Sequence, residues 1–168
     1  MKFLSLFLLL ICGTVRCIDP VRCFAVLNLK KVASSSLAGK DIERQIEIAN
    51  RESKKGLLDL EAQIRSMESN KTSEYDARKI EDAQIQLYEM VHDKKYQISE
   101  AYKKAVGILD AEMKKVIKEI CSEKNLAIVI NSEAVVYYSE ECPNITDEVI
   151  KRLNDACKTI AVELKQLK

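Results

Sequence analysis

The chain has 168 residues, with 47% hydrophobic and 32% charged residues but only 5% aromatics, no Trp, 4 Gly and 2 Pro. This composition excludes collagen-like and Pro/Gly-rich disordered chains, and so few turn formers argue against a sandwich or barrel. A formal net charge of +1 excludes a strong electrostatic draw toward nucleic acid or an anionic lipid surface, so no nucleic-acid partner and only transient membrane contact are expected.

Met1-Lys2, the apolar run from Phe3 to Ile11 and the smaller residues after it have the layout of a secretory signal peptide. The run is too short to span a bilayer. Val15 and Cys17 are the best small-residue pair, so residues 1–17 are expected to be removed and residues 18–168 to form one exported domain. Lipidation of Cys12 is disfavoured by the bulk of Ile11. Cys23, Cys121, Cys142 and Cys157 would remain, and in an oxidising compartment they could form two disulfides in any of three connectivities. They could equally remain reduced, as small core residues. No C-x-x-C pair occurs and the single His92 is distant from every Cys, so no metal site is expected.

Cys23–Leu29 (CFAVLNL) reads as a short buried strand. Ser36 is a plausible N-cap for a helix of about 33 residues, whose stripe runs through Ile42, Ile46, Ala49, Ser53, Gly56, Leu60 and Met67. The stripe stops at Asn70-Lys71-Thr72-Ser73, and Ser73 can cap a second helix of about 51 residues. Its stripe runs through Ile80, Ala83, Leu87, Val91, Ile98, Ala101, Ala105, Ile108, Val116 and Ile120, with Lys94 as an interruption. A short polar link between two such helices forces an antiparallel hairpin, of roughly 50 Å and 76 Å along its two helices. Gly56 and Gly107 mark bends or close helix approach. Glu47–Arg51, Glu61–Arg65 and Glu100–Lys104 have the spacing of exposed helical ion pairs.

Apolar residues off the stripes, Leu57, Ile64, Tyr75, Ile85, Tyr88, Met90, Tyr96 and Tyr102, are candidates for contact with varied apolar partners. Beyond the hairpin, Leu126–Ile130 and Ala134–Tyr138 read as strands around the turn Asn131-Ser132-Glu133. Thr146 is the expected N-cap of a last helix running toward Lys168. The fold class is therefore α+β: a long antiparallel helical hairpin on a small β-stranded head. The head comprises residues 22–35 and 125–168, and the arm residues 36–124. So small a core with open sheet edges predicts a homo-oligomer joined through the head. Phe24, Val26, Ile128, Ile130, Val135 and Tyr137 are the candidate head contacts.

Phe24–Lys40 (FAVLNLKKVASSSLAGK) and Asn125–Asn154 (NLAIVINSEAVVYYSEECPNITDEVIKRLN) resemble the Skp/OmpH family of periplasmic chaperones. The second segment is the more specific, and the resemblance spans roughly residues 22–154. It implies a homotrimer with a β-stranded body and three helical tentacles. It also implies ATP-independent holding of unfolded outer-membrane β-barrel proteins in the periplasm of a Gram-negative-type cell, with no cofactor. The chain departs from the family in its near-neutral charge, about −1 after signal removal, in Asn131 where the pattern often has Asp, in its cysteines, and in the extension Asp155–Lys168.

An enzyme is not expected: there is one His, no Gly-rich phosphate loop and no H-E-x-x-H. The rival is a structural coiled-coil spacer or adaptor of the cell envelope, which would bind one folded partner where a holdase binds many unfolded ones.

Overall fold

The computed structural model describes residues 24–70 and 72–164. The expected signal segment 1–17, Cys23 and residues 165–168 lie outside the described residues. The elements in chain order are β1 (Phe24–Leu27), α1 (Leu29–Ser35), α2 (Leu37–Ser69), α3 (Glu74–Lys124), β2 (Ile128–Asn131), a 3-10 turn (Ser132–Ala134) and α4 (Thr146–Ala156).

The hairpin forms where the sequence places it. Ser36 Oγ accepts the Gly39 backbone N–H at 3.2 Å and opens α2, which has 33 residues. Ser73 and Asp76 form a reciprocal capping box at the start of α3, which has 51 residues. Asp76 Oδ2 also accepts the Thr72 N–H and hydroxyl. The Ser73 hydroxyl first, and these Thr72 bonds next, pull the Asp76 carboxyl down to about 2. At the other end of α3, Asn125 takes the left-handed conformation at φ 53°, which its short polar side chain tolerates, and the chain turns back to the head.

The buried stripe of α3 near the head is Ala101, Ala105, Leu109, Met113, Val116 and Ile120, stepping by four and three. Leu109, one residue beyond the expected Ile108, faces the core, and Ile108 is exposed. From Ala105 onward these side chains meet Ala25, Leu27, Val32, Ile42, Val149 and Leu153 in one core at the foot of the hairpin. Deeper along the arm packing is thin. Between Ala49 and Ile64 on α2, and between Ile80 and Ala101 on α3, no residue is buried. Ser53, Gly56 and Lys94 occupy inward stripe positions there and supply too little apolar volume to fill the gap.

The two strands pair in parallel, Phe24 with Ile128 through Leu27 with Asn131. A parallel pair requires a long crossover, and here the whole hairpin is that crossover. The third strand expected at Ala134–Tyr138 does not form. Asn131 Oδ1 caps the 3-10 turn and diverts the chain off the sheet. The far edge of β1 is taken instead by the loop before α4: the Val26 N–H donates to the Pro143 carbonyl at 2.9 Å and the Ile145 N–H to the Val26 carbonyl at 3.0 Å.

The last helix also differs from expectation. Ile145 flanks its start and Thr146 is its first residue. Thr146 binds backward, its N–H and hydroxyl donating to Asn144 Oδ1 at 3.0 Å and 2.6 Å. The helix ends at Ala156, because Cys157 turns to an extended conformation and residues 157–164 run along the foot of the arm. Arg152 fixes α4 to the end of α3 by a bidentate pair with Glu123 at 2.7 Å and 2.6 Å, and a third bond to Glu148 at 2.7 Å.

Candidate apolar arm surface and head face

Six of the eight candidate arm residues are exposed: Tyr75, Ile85, Tyr88, Met90, Tyr96 and Tyr102. Leu57 is half-buried. Ile64 does not belong to the set, because it is 5% exposed and forms the contact between the helices near the tip. Its neighbours on α2 are polar, so it is the residue that must face the partner helix. At 100° per residue, Ile85, Tyr88 and Tyr96 share about a quarter of the circumference of α3. Tyr75 carries the Lys79 ammonium 4.5 Å over its ring.

The thin middle of the arm opens clefts between the helices. One, about 410 Å³, brings Leu57 and Tyr102 together with Ile46, Val91 and Ile98. Another, about 330 Å³, places Met90 beside Gly56, Lys94 and Leu164. The eight candidates are thus divided among an outward face and separate clefts rather than gathered in one patch. Ile48, Leu58 and Val106 are also exposed and were not singled out from the sequence, and Val91, expected on the inward stripe of α3, is exposed as well. The Leu57-Leu58 doublet carried the signal, since adjacent residues on a helix cannot both face one partner.

The apolar arm residues stand among charges. The pairs Glu47–Arg51 and Glu61–Arg65 form as expected, at 2.7 Å and 3.4 Å. Glu100 instead takes Lys103, and Lys104 reaches across to Glu163 beyond α4. His92 is exposed on α3.

On the head, parallel register puts Phe24, Val26, Ile128 and Ile130 on one sheet face. Phe24, Ile128 and Ile130 are exposed, and Val136 and Tyr137 in the following loop are more so. Val135 is half-buried. Val26 is removed from the candidate contact set: it is 2% exposed, held inside the chain between β2 and the Pro143–Ile145 segment. Cys121, Cys142 and Cys157 are all free thiols, so none of the disulfides possible among those three is present. Cys121 and Cys157 pack against the core as small apolar side chains.

Among the described residues no helix is long and apolar enough to cross a membrane. No curated protein matches the chain. The fold is similar to the crystal structure of a candidate outer membrane chaperone (OmpH-like) from Caulobacter crescentus CB15, with a TM-score of 0.71 and 15% identity over 86% of this chain and 91% of that one. The family model for outer membrane protein (OmpH-like) matches residues 23–153, which include β1, the whole hairpin, β2 and most of α4. The chain belongs to the OmpH-like family.

Proposed function

We propose that the protein is an ATP-independent holdase of the periplasm, which keeps unfolded outer-membrane β-barrel proteins from aggregating in transit. The observation that carries this reading is the two-helix arm, in a member of this family, with apolar side chains distributed along a charged surface. An unfolded barrel strand exposes alternating apolar residues and aggregates in water. Many weak contacts from Tyr, Met, Leu and Ile on several arms can hold such a chain through multivalency without choosing one sequence. Poor packing between Ala49 and Ile64 suits this work, because helices that are not locked together can adjust to different occupants.

Self-association belongs to the same proposal. The open sheet face of Phe24, Ile128 and Ile130, with Val136 and Tyr137 beside it, is the surface through which heads associate, as a trimer in the Skp/OmpH manner. Residues 1–17 direct export, and residues 18–168 form the working domain. Holding involves no chemical step, so neither a catalytic group nor a cofactor is part of this reading.

The test is dilution of a urea-unfolded outer-membrane barrel into buffer containing the mature protein, followed by light scattering. Suppressed scattering at near-stoichiometric protein supports the holdase. Unchanged scattering beside a well-folded oligomer favours an envelope spacer.

A further inference from the structure

The segment from Cys157 to Leu164 lies beyond the part of the chain that matches the family, and it is laid onto the arm as a strap. Its burial alternates. Ile160 is buried, Ala161 exposed, Val162 half-buried and Glu163 exposed. Leu164 then borders clefts of about 490 and 330 Å³. The strap is read by its backbone as well as its side chains. The Gln45 amide donates from Nε2 to the Ile160 carbonyl at 2.8 Å and accepts the Val162 N–H on Oε1 at 2.9 Å. Asp41 Oδ2 accepts a second bond from the same Nε2 at 2.7 Å, which fixes the orientation of the amide. Lys104 on α3 pairs with the outward Glu163.

The path is that of an extended chain. Ile160 sits at the level of Gln45, and Leu164 borders a cleft with Ala49, Glu52 and Gly56, up to three turns further along α2. From Gln45 to Glu52 a helix rises about 10 Å, which four residues of strap cover only when nearly extended. Main-chain hydrogen bonds combined with pockets for alternate side chains are how proteins bind extended peptides. The strap sequence Ile160-Ala161-Val162-Glu163-Leu164 has the apolar-out-apolar alternation of a barrel strand.

We propose that the groove between α2 and α3 at the foot of the arm is a binding site for an extended segment of alternating apolar residues, and that the strap 157–164 occupies it as an internal mimic displaced by the client. Gln45 is the residue that reads the occupant's backbone, and the space under Ile160 is the anchor pocket. The assignment rests on the chaperone reading only for the identity of the natural occupant.

Hydrogen exchange on the full chain tests displacement. In the free protein, the Val162 amide exchanges slowly because its N–H is bound to Gln45. Saturation with a urea-unfolded outer-membrane barrel speeds its exchange at least tenfold, while residues 45–53 and 97–104 stay slow. Strap exchange that is unchanged or slowed while the barrel is held in solution overturns the proposal.

A second arm needs no client. A fluorescent peptide of residues 158–164 is titrated against the full chain and against the full-length I160D/E163K variant, with helicity checked by circular dichroism. The released variant binds at least tenfold tighter than the wild type, and adding Gln45→Ala reverses the gain. A scrambled peptide without the alternation binds neither. Equal or absent binding to a folded variant overturns the site. If the double variant fails to fold, E163K alone, an exposed change that repels Lys104, is used with the same criteria. Peptide capture without any effect on barrel aggregation would keep the groove and remove the chaperone reading.

Discussion

Thr146 Oγ1 accepts the backbone N–H of Asn28 at 2.9 Å, joining the end of β1 to the first turn of α4 across 118 positions of sequence. Thr146 is 3% exposed, so no water replaces that acceptor. Thr146→Val keeps the shape and leaves the Asn28 N–H unpaired, at a cost of about 1–3 kcal/mol. A urea midpoint unchanged from wild type would show that the head does not depend on this bond.

Gly39 carries a second prediction. A Cβ there would lie 1.7 Å from the backbone oxygen of Ala33, where α1 turns into α2 at the buried Ser36. The obstacle is backbone and cannot rotate away. Gly39→Ala therefore destabilises by about 3 kcal/mol, at the upper end of ordinary overpacking. Thermal unfolding of the variant measures it, and a melting temperature equal to wild type would contradict the packing described.

The Arg152 cluster sets a pH dependence. The Arg152 hydrogen bond is the main cause that holds Glu123 below its ordinary value of 4.5. Burial pushes Glu148 up, but Lys124 and Arg152 outweigh it, so Glu148 also lies below 4.5. Both carboxyls are thus more acidic folded than unfolded. The stability they contribute is complete above about pH 4.5 and is lost as pH falls through the lower folded values. Arg152→Met should lower the urea midpoint at pH 7 and leave a much smaller difference at pH 3. A deficit that stays constant between the two pH values would mean that Arg152 acts by packing alone.

Ile98 is half-buried in α3 and borders clefts on both sides of the arm. Ile98→Pro removes one helix hydrogen bond and costs about 3 kcal/mol or more. Damage should stay in the arm, with weaker client holding and an unchanged oligomer by sedimentation. Dissociation of the oligomer would mean that arm and head are not separable.

On the head, Ile128→Asp puts a charge on the open sheet face. Because Ile128 is 56% exposed in the single chain, the change should leave the monomer folded and lower the sedimenting mass. A variant with wild-type mass would move the association surface elsewhere.

Much of the arm was legible because its signals are local. Ser36 and Ser73 cap the helices that their hydroxyls predict, and the polar break at Asn70 fixes the hairpin. Failures came where distant partners decide. Ala134–Tyr138 is a different case: it has the composition of a strand, but the 3-10 turn capped by Asn131 carries it off the sheet. Val26 was a candidate contact between heads, but it is buried within the single chain, where Pro143–Ile145 lies along β1. The stretch after Ala156 fits a helical pattern as well as an alternating one, and Gln45, more than a hundred residues earlier, decides for the extended form. Of the candidate client residues, Ile64 was misplaced because the stripe was carried from Leu60 straight to Met67, whereas Ile64, four residues after the one and three before the other, lies on the same inward face.

The most direct measurement is the mass of the soluble species formed when an unfolded outer-membrane barrel is diluted into the mature protein, read by native mass spectrometry. The account predicts one client held by one oligomer, with binding weakened when Tyr88 and Tyr96 are both changed to Ser. These are exposed positions where substitution leaves stability within about 0.5 kcal/mol. A client that precipitates beside an intact, empty oligomer would contradict it.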